Sequence, residues 1–110
     1  MHSETDSDQF KAISDAFKQR DSSDPSIAKK LKILSKARFH PLQDLLRKFL
    51  GSEDAFWIEL GIKNLTYFKD SITQKEIQLI RKALVNTSDA DVKMAAASFW
   101  GSMIPKRVSF

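Results

Sequence analysis

The chain has 110 residues, of which 42% are apolar and 29% charged, with a formal charge of +4; this is enough for one hydrophobic core, too short for two and too apolar for wholesale disorder. It contains no cysteine, which excludes a disulfide framework, a thiolate metal site and a thiol nucleophile, and leads us to expect a reducing, cytoplasmic compartment. Three glycines and three prolines are too few for the turns of a many-stranded sheet, so the composition favours helix, and no apolar run approaches the ~18 residues of a membrane span.

The positive charge is local. Residues 1 to 25 hold six acids against three bases, residues 26 to 50 seven bases against one acid, and the two remaining stretches, 51 to 75 and 76 to 110, come to −1 and +2.

From the N-terminus, residues 1 to 8 read as a flexible acidic arm, with Glu4, Asp6 and Asp8 and no apolar residue after Met1; this is the reverse of a secretion signal. Phe10, Ile13 and Phe17 then recur at i, i+3 and i+7, which predicts an amphipathic helix from about Gln9 to Arg20, capped by Ser7 or Asp8. "DSSDPS" interrupts it, and Asp24 before Pro25 is a cap followed by a first-turn proline. In the helix that begins there, about 100° per residue places Ile27, Leu31 and Leu34 on one side and Lys29, Lys32 and Lys36 opposite. Ile33 falls among those lysines, an apolar residue on the wet side.

His40 before Pro41 is expected to end or kink this helix. "PLQDLLRKFLG" then sets Leu42, Leu45, Leu46, Phe49 and Leu50 on one face and Gln43, Asp44, Arg47 and Lys48 on the other, with Gly51 as the stop. Ser52 is the expected cap of "EDAFWIELGI", in which Phe56, Trp57, Ile58, Leu60 and Ile62 point in nearly every direction; such a helix belongs at the centre of a fold. "KNLTYFKDS" fits either a helical turn or a short extended piece.

Thr73 with Glu76 and Ser88 with Asp91 have the spacing of capping boxes. The first opens a helix with Ile77, Ile80 and Leu84 inward; the second opens one with Val92, Ala95, Ala96, Phe99 and Met103 inward, stopped by Pro105. The expectation is an all-α, compact single-domain bundle of five to six short helices over residues 9 to 104, followed by a tail from 105 to 110. Its core should contain Phe17, Leu31, Leu34, Leu45, Phe49, Phe56, Leu60, Ile80 and Phe99.

Catalytic material is sparse. The only histidines are His2, in the arm, and His40, so neither a histidine acid/base pair nor a two-histidine metal site is expected. Glu59 has the apolar neighbours Trp57, Ile58 and Leu60; it would be a perturbed carboxylate if desolvated and an ordinary one on a wet stripe of its helix. Gly51, Gly61 and Gly101 are isolated and form no phosphate loop. No enzymatic activity, metal or cofactor is expected.

Two stretches bear on nucleic acid. The basic face of residues 29 to 48 offers Lys29, Lys32, Lys36, Arg38, Arg47 and Lys48 around Ile33, suited to phosphates, to an acidic partner, or simply to solvent. Only Phe39 is an aromatic among them, so no base-stacking platform is expected. In "ITQKEIQLIRKALVNTSDADV", Ile72, Thr73, Glu76, Leu79, Ile80, Ser88 and Val92 fall near the places they occupy in the helix-turn-helix of LuxR-type regulators, so residues 72 to 104 resemble a degenerate form of it. The resemblance implies DNA contact through the last helix. It departs at Asn86 and Thr87, where glycine is usual, and at "KMAAASFW", which offers few side chains to base edges.

The last helix also has a second face of Ala90, Met94, Ala97 and Gly101, with Trp100 beside it. Small residues permit close approach of another helix, and tryptophan anchors interfaces. The sequence therefore reads as a small non-enzymatic regulatory protein of adaptor, inhibitor or anti-activator type. It would bind a protein partner, or a second copy as a homodimer, through Met94, Ala97, Trp100 and Gly101. The alternative is a nucleic-acid-binding regulator using the basic face or the degenerate helix-turn-helix.

Overall fold

A computed structural model describes residues 6 to 19, 21 and 25 to 103, without the side chain of Met103. The arm up to residue 5, the Asp24 cap, the inward placement of Met103 and the tail from 104 onward lie outside the described residues. The chain forms α1 (Asp6–Lys18), α2 (Ser26–Lys36), α3 (His40–Leu50), α4 (Ala55–Leu65), a 3-10 helix (Thr66–Ser71), α5 (Gln74–Asn86) and α6 (Ala90–Met103), with no strand among the described residues. It is the all-α bundle of short helices that composition and capping predict. "LTYF" takes the helical alternative, with Leu65 closing α4 and Thr66 to Phe68 in the 3-10 helix.

α4 is the centre. It packs most extensively against α3 and α6, and also against α2, which is why its apolar residues surround it. Trp57, Ile62 and Leu65 are fully buried, and Ile58 nearly so. Phe56 is a correction to the expected core: it lies only partly buried against the cluster, and its neighbour Trp57 takes the central place. The Trp57 indole meets the rings of Phe17 from α1, Phe49 from α3 and Phe56, at centroid distances of 5.2, 5.0 and 5.0 Å. One aromatic cluster thus ties three helices. The other expected core residues are buried.

Gly61 lets α3 and α4 approach. A Cβ there would meet the Phe49 Cβ at 3.1 Å and the Leu46 carbonyl at 3.2 Å, both carried by the facing backbone. Gly101 on α6 has nothing within 4 Å of the same position. Gly61→Ala is expected to destabilise by about 1–3 kcal/mol through overpacking, whereas Gly101→Ala should stabilise by up to about 1 kcal/mol by helix propensity alone. Paired thermal melts check the opposite signs.

Several boundaries shift for local reasons. α1 already includes Asp6 to Asp8, so the helix starts earlier than its apolar repeat. α2 ends before His40: the amides of Arg38 and Phe39 donate back to the carbonyls of Ser35 and Leu34 at 3.0 and 3.1 Å, with Arg38 in the left-handed region (φ 55°). Phe39 then precedes α3, whose first residue is His40.

α4 is capped by Asp54 rather than Ser52. The Asp54 carboxylate accepts from the Phe56 amide at 3.0 Å, and the Ser52 hydroxyl accepts from the Asp54 amide at 3.0 Å. At α6 the Asp89 carboxylate, not Ser88, accepts from the amides of Asp91 and Val92 at 2.9 and 3.1 Å. In α5, Ile80 and Ala83 carry the burial while Ile77 and Leu84 are half-buried.

Candidate functional site

α6 meets the core through Val92, Ala95, Ala96 and Phe99, all buried. Its other side stays open: Ala90, Ala97 and Gly101 are exposed, and Met94 keeps 69% of its surface in solvent. Trp100 is partly buried and packs edge-on to Phe99 at 5.2 Å. From Met94 to Met103 the helix has no charged residue. The four expected contact residues thus share one helix, three of them open to solvent and Trp100 at the boundary with the core.

The basic face divides. Lys29, Lys32 and Lys36 are exposed on α2, and Ile33 among them is 44% exposed. Among the described residues none of these lysines has a carboxylate within ion-pair distance. Arg38 is exposed and pairs with Asp70 at 3.4 Å. Lys48 is exposed on α3. Arg47 is half-buried and turned to α5, where its Nε donates to Glu76 at 2.6 Å while another guanidinium nitrogen pairs with Asp44. Its charge is therefore taken up inside the fold, and it leaves the basic face.

That contact belongs to a buried network. The Glu76 carboxylate, wholly shielded from solvent, accepts from the Thr73 amide at 2.9 Å, the Thr73 hydroxyl, the Gln43 amide group at 3.1 Å and Arg47. The capping box at Thr73 is present as the spacing predicts. Gln43, expected on the wet face of α3, is instead buried and also donates to the Ser71 carbonyl at 3.2 Å. Burial alone would push the Glu76 carboxyl up, but the donors from Thr73 and Arg47 outweigh it and hold the pKa at about 2. With its oxygens so occupied, Glu76 is a structural carboxylate and has no free lone pair directed at a substrate.

Glu59 is mostly shielded and pairs with Lys63 one turn on at 2.7 Å. His40 is exposed at the start of α3. Among the described residues no three His, Asp or Glu side chains are placed to hold a metal ion, and no helix is long and apolar enough to cross a membrane.

Two grooves run along α4, and sequence reasoning gave no sign of either. One, of about 260 Å³, lies between α2 and α4 with Ala28 and Lys32 on one wall, Leu60 and Lys63 on the other, and Tyr67 at its end. The other, of about 210 Å³, lies between α4 and α6 and includes Glu59, Lys63, Met94 and Ala95. Lys63 lines both, so the open face of α6 and the lysine face of α2 flank the same exposed edge of α4. The α2 groove is fixed from beneath by a buried bond in which the Ser35 hydroxyl donates to the Asn64 side-chain carbonyl at 3.0 Å. The available signal was a serine and an asparagine standing at apolar registers of α2 and α4, where a buried polar side chain needs a partner.

Comparison with protein-family models, with curated proteins and with solved structures found no match. The likeness of residues 72 to 104 to a helix-turn-helix is accordingly without support from a family. The helix that would read bases shows solvent Met94, Ala97 and Gly101, and among its residues only Lys93 is cationic.

Proposed function

We propose that the protein is a non-enzymatic helical regulator that acts by binding another protein, with the exposed side of α6 as its contact surface. The observation that carries this reading is the two-sidedness of α6. Val92, Ala95, Ala96 and Phe99 already seat the helix on α4, yet an opposite side whose one cation is Lys93, with Met94 largely in solvent, is left uncovered by the described residues. An apolar, small-residue helix face of this kind suits close packing against another helix, from a partner or from a second copy.

Ala97→Arg tests it. At an exposed helical site arginine is nearly as good a helix former as alanine, so the circular dichroism spectrum and melting temperature should be unchanged. Complex formation should be lost, because a long charged side chain placed in a small-residue contact is both too large and unpaired. Light scattering reports self-association, and a variant that kept the wild-type mass and partner binding would exclude the face.

A second reading, nucleic-acid binding, is favoured by Lys29, Lys32 and Lys36 of α2, which have no carboxylate partner among the described residues. It predicts affinity falling steeply with salt, whereas an α6 contact should be nearly indifferent to it.

A further inference from the structure

We infer that the groove between α2 and α4 is a second docking site, and that its occupant is an acidic amphipathic segment of a partner protein. α2 carries four lysines and no acid; Lys29, Lys32 and Lys36 have no carboxylate partner among the described residues. Lys32 stands on the groove wall itself. A row of positive charge on a single helix attracts an anionic partner and repels a cationic one.

The apolar residues decide between kinds of anion. Leu60 and Ala28 line the groove, with the half-buried Tyr67 at its end, and Ile33 stands 44% exposed among the lysines. A phosphate backbone offers such residues nothing, whereas a helix with acids flanking an aliphatic row meets both sets at once. The volume, about 260 Å³, is below the roughly 300–1,000 Å³ of a small-molecule pocket and suits one or two side chains of a peptide.

The site does not depend on the α6 reading, and the test keeps the two apart. The probe is a fluorescein-labelled peptide of about four helical turns, with leucines on one row and glutamates on the rows beside it. Its companions are the same peptide with serine for leucine and a single-stranded oligonucleotide of equal charge. Anisotropy titrations on the full chain should show saturable binding of the leucine peptide and binding of both companions weaker by roughly tenfold or more.

The triple variant Lys29→Glu, Lys32→Glu, Lys36→Glu should abolish binding with the fold kept. Ala28→Trp, which fills the groove without altering charge, should weaken binding by roughly tenfold. Ala97→Arg should leave it unchanged. Absence of saturable binding overturns the inference, as does equal binding of the serine peptide or the oligonucleotide. Binding that survives Ala28→Trp, or that is lost in a folded Ala97→Arg, equally overturns it by placing the contact elsewhere.

Discussion

Truncation of Trp57 to alanine is expected to lower the free energy of unfolding by about 3–5 kcal/mol, a large share of the 5–15 kcal/mol typical of a domain. The indole is fully buried and its ring is in contact with Phe17, Phe49 and Phe56. Its removal leaves a cavity that three separate helices would have to move to fill, and α1 loses a principal ring contact to the bundle. Trp57→Phe should cost much less than its lost volume suggests. The buried indole N–H has no acceptor among the described residues, so phenylalanine removes an unpaired donor as well as packing area. Urea denaturation of the two variants checks both expectations. A Trp57→Ala protein with the wild-type midpoint would mean that the ring cluster does not hold α1.

The second large effect is expected at Glu76. Its carboxyl ionises at about 2 in the folded chain, against 4.5 for an ordinary glutamate. Because the folded value is the lower one, the stabilisation is fully present above pH 4.5 and is lost as the pH falls toward 2. The shift corresponds to about 3 kcal/mol. Glu76→Gln removes the charge while nearly keeping the shape, and leaves Arg47 half-buried with only Asp44. The variant should therefore be less stable than wild type by about 3 kcal/mol at pH 7, and the gap should close as the pH approaches 2. Denaturation curves from pH 2 to 7 would show it. A gap that stayed constant over that range would mean that the carboxylate charge does not join α3 to α5.

These two residues also show what the sequence made legible. Glu76 was visible as half of a capping box, because that motif is local and its spacing is fixed by one turn of helix. Its partners Gln43 and Arg47 were not, since they lie some thirty positions away (|i−j| = 33 and 29) and polar residues on an amphipathic helix default to the wet face. At α4 the central position could be read from apolar residues on all sides, but for that same reason the phase could not. Phe56 and Trp57 are adjacent and both aromatic, and only the approach of Phe17 and Phe49 selects Trp57.

The caps expected at Ser52 and Ser88 fall instead at Asp54 and Asp89, for a narrower reason. In each case a serine and an aspartate stood within two residues of each other, and either is a competent cap. Which one serves is set by where the incoming chain leaves α3 or α5. The two sides of α6 were legible because a period of 3.6 residues separates Val92, Ala95 and Phe99 from Met94, Ala97 and Gly101 without reference to the rest of the chain. The grooves beside α4 were not, because they are spaces between helices and have no pattern in any one of them.

The most direct measurement is a pull-down from a native lysate with the wild type and Ala97→Arg side by side, each with and without nuclease. Action through the open face of α6 predicts a protein partner that persists after nuclease treatment with the wild type and is missing with Ala97→Arg, while both baits remain folded by circular dichroism. Recovery of the same proteins with both baits, or loss of all of them on nuclease treatment, would contradict it.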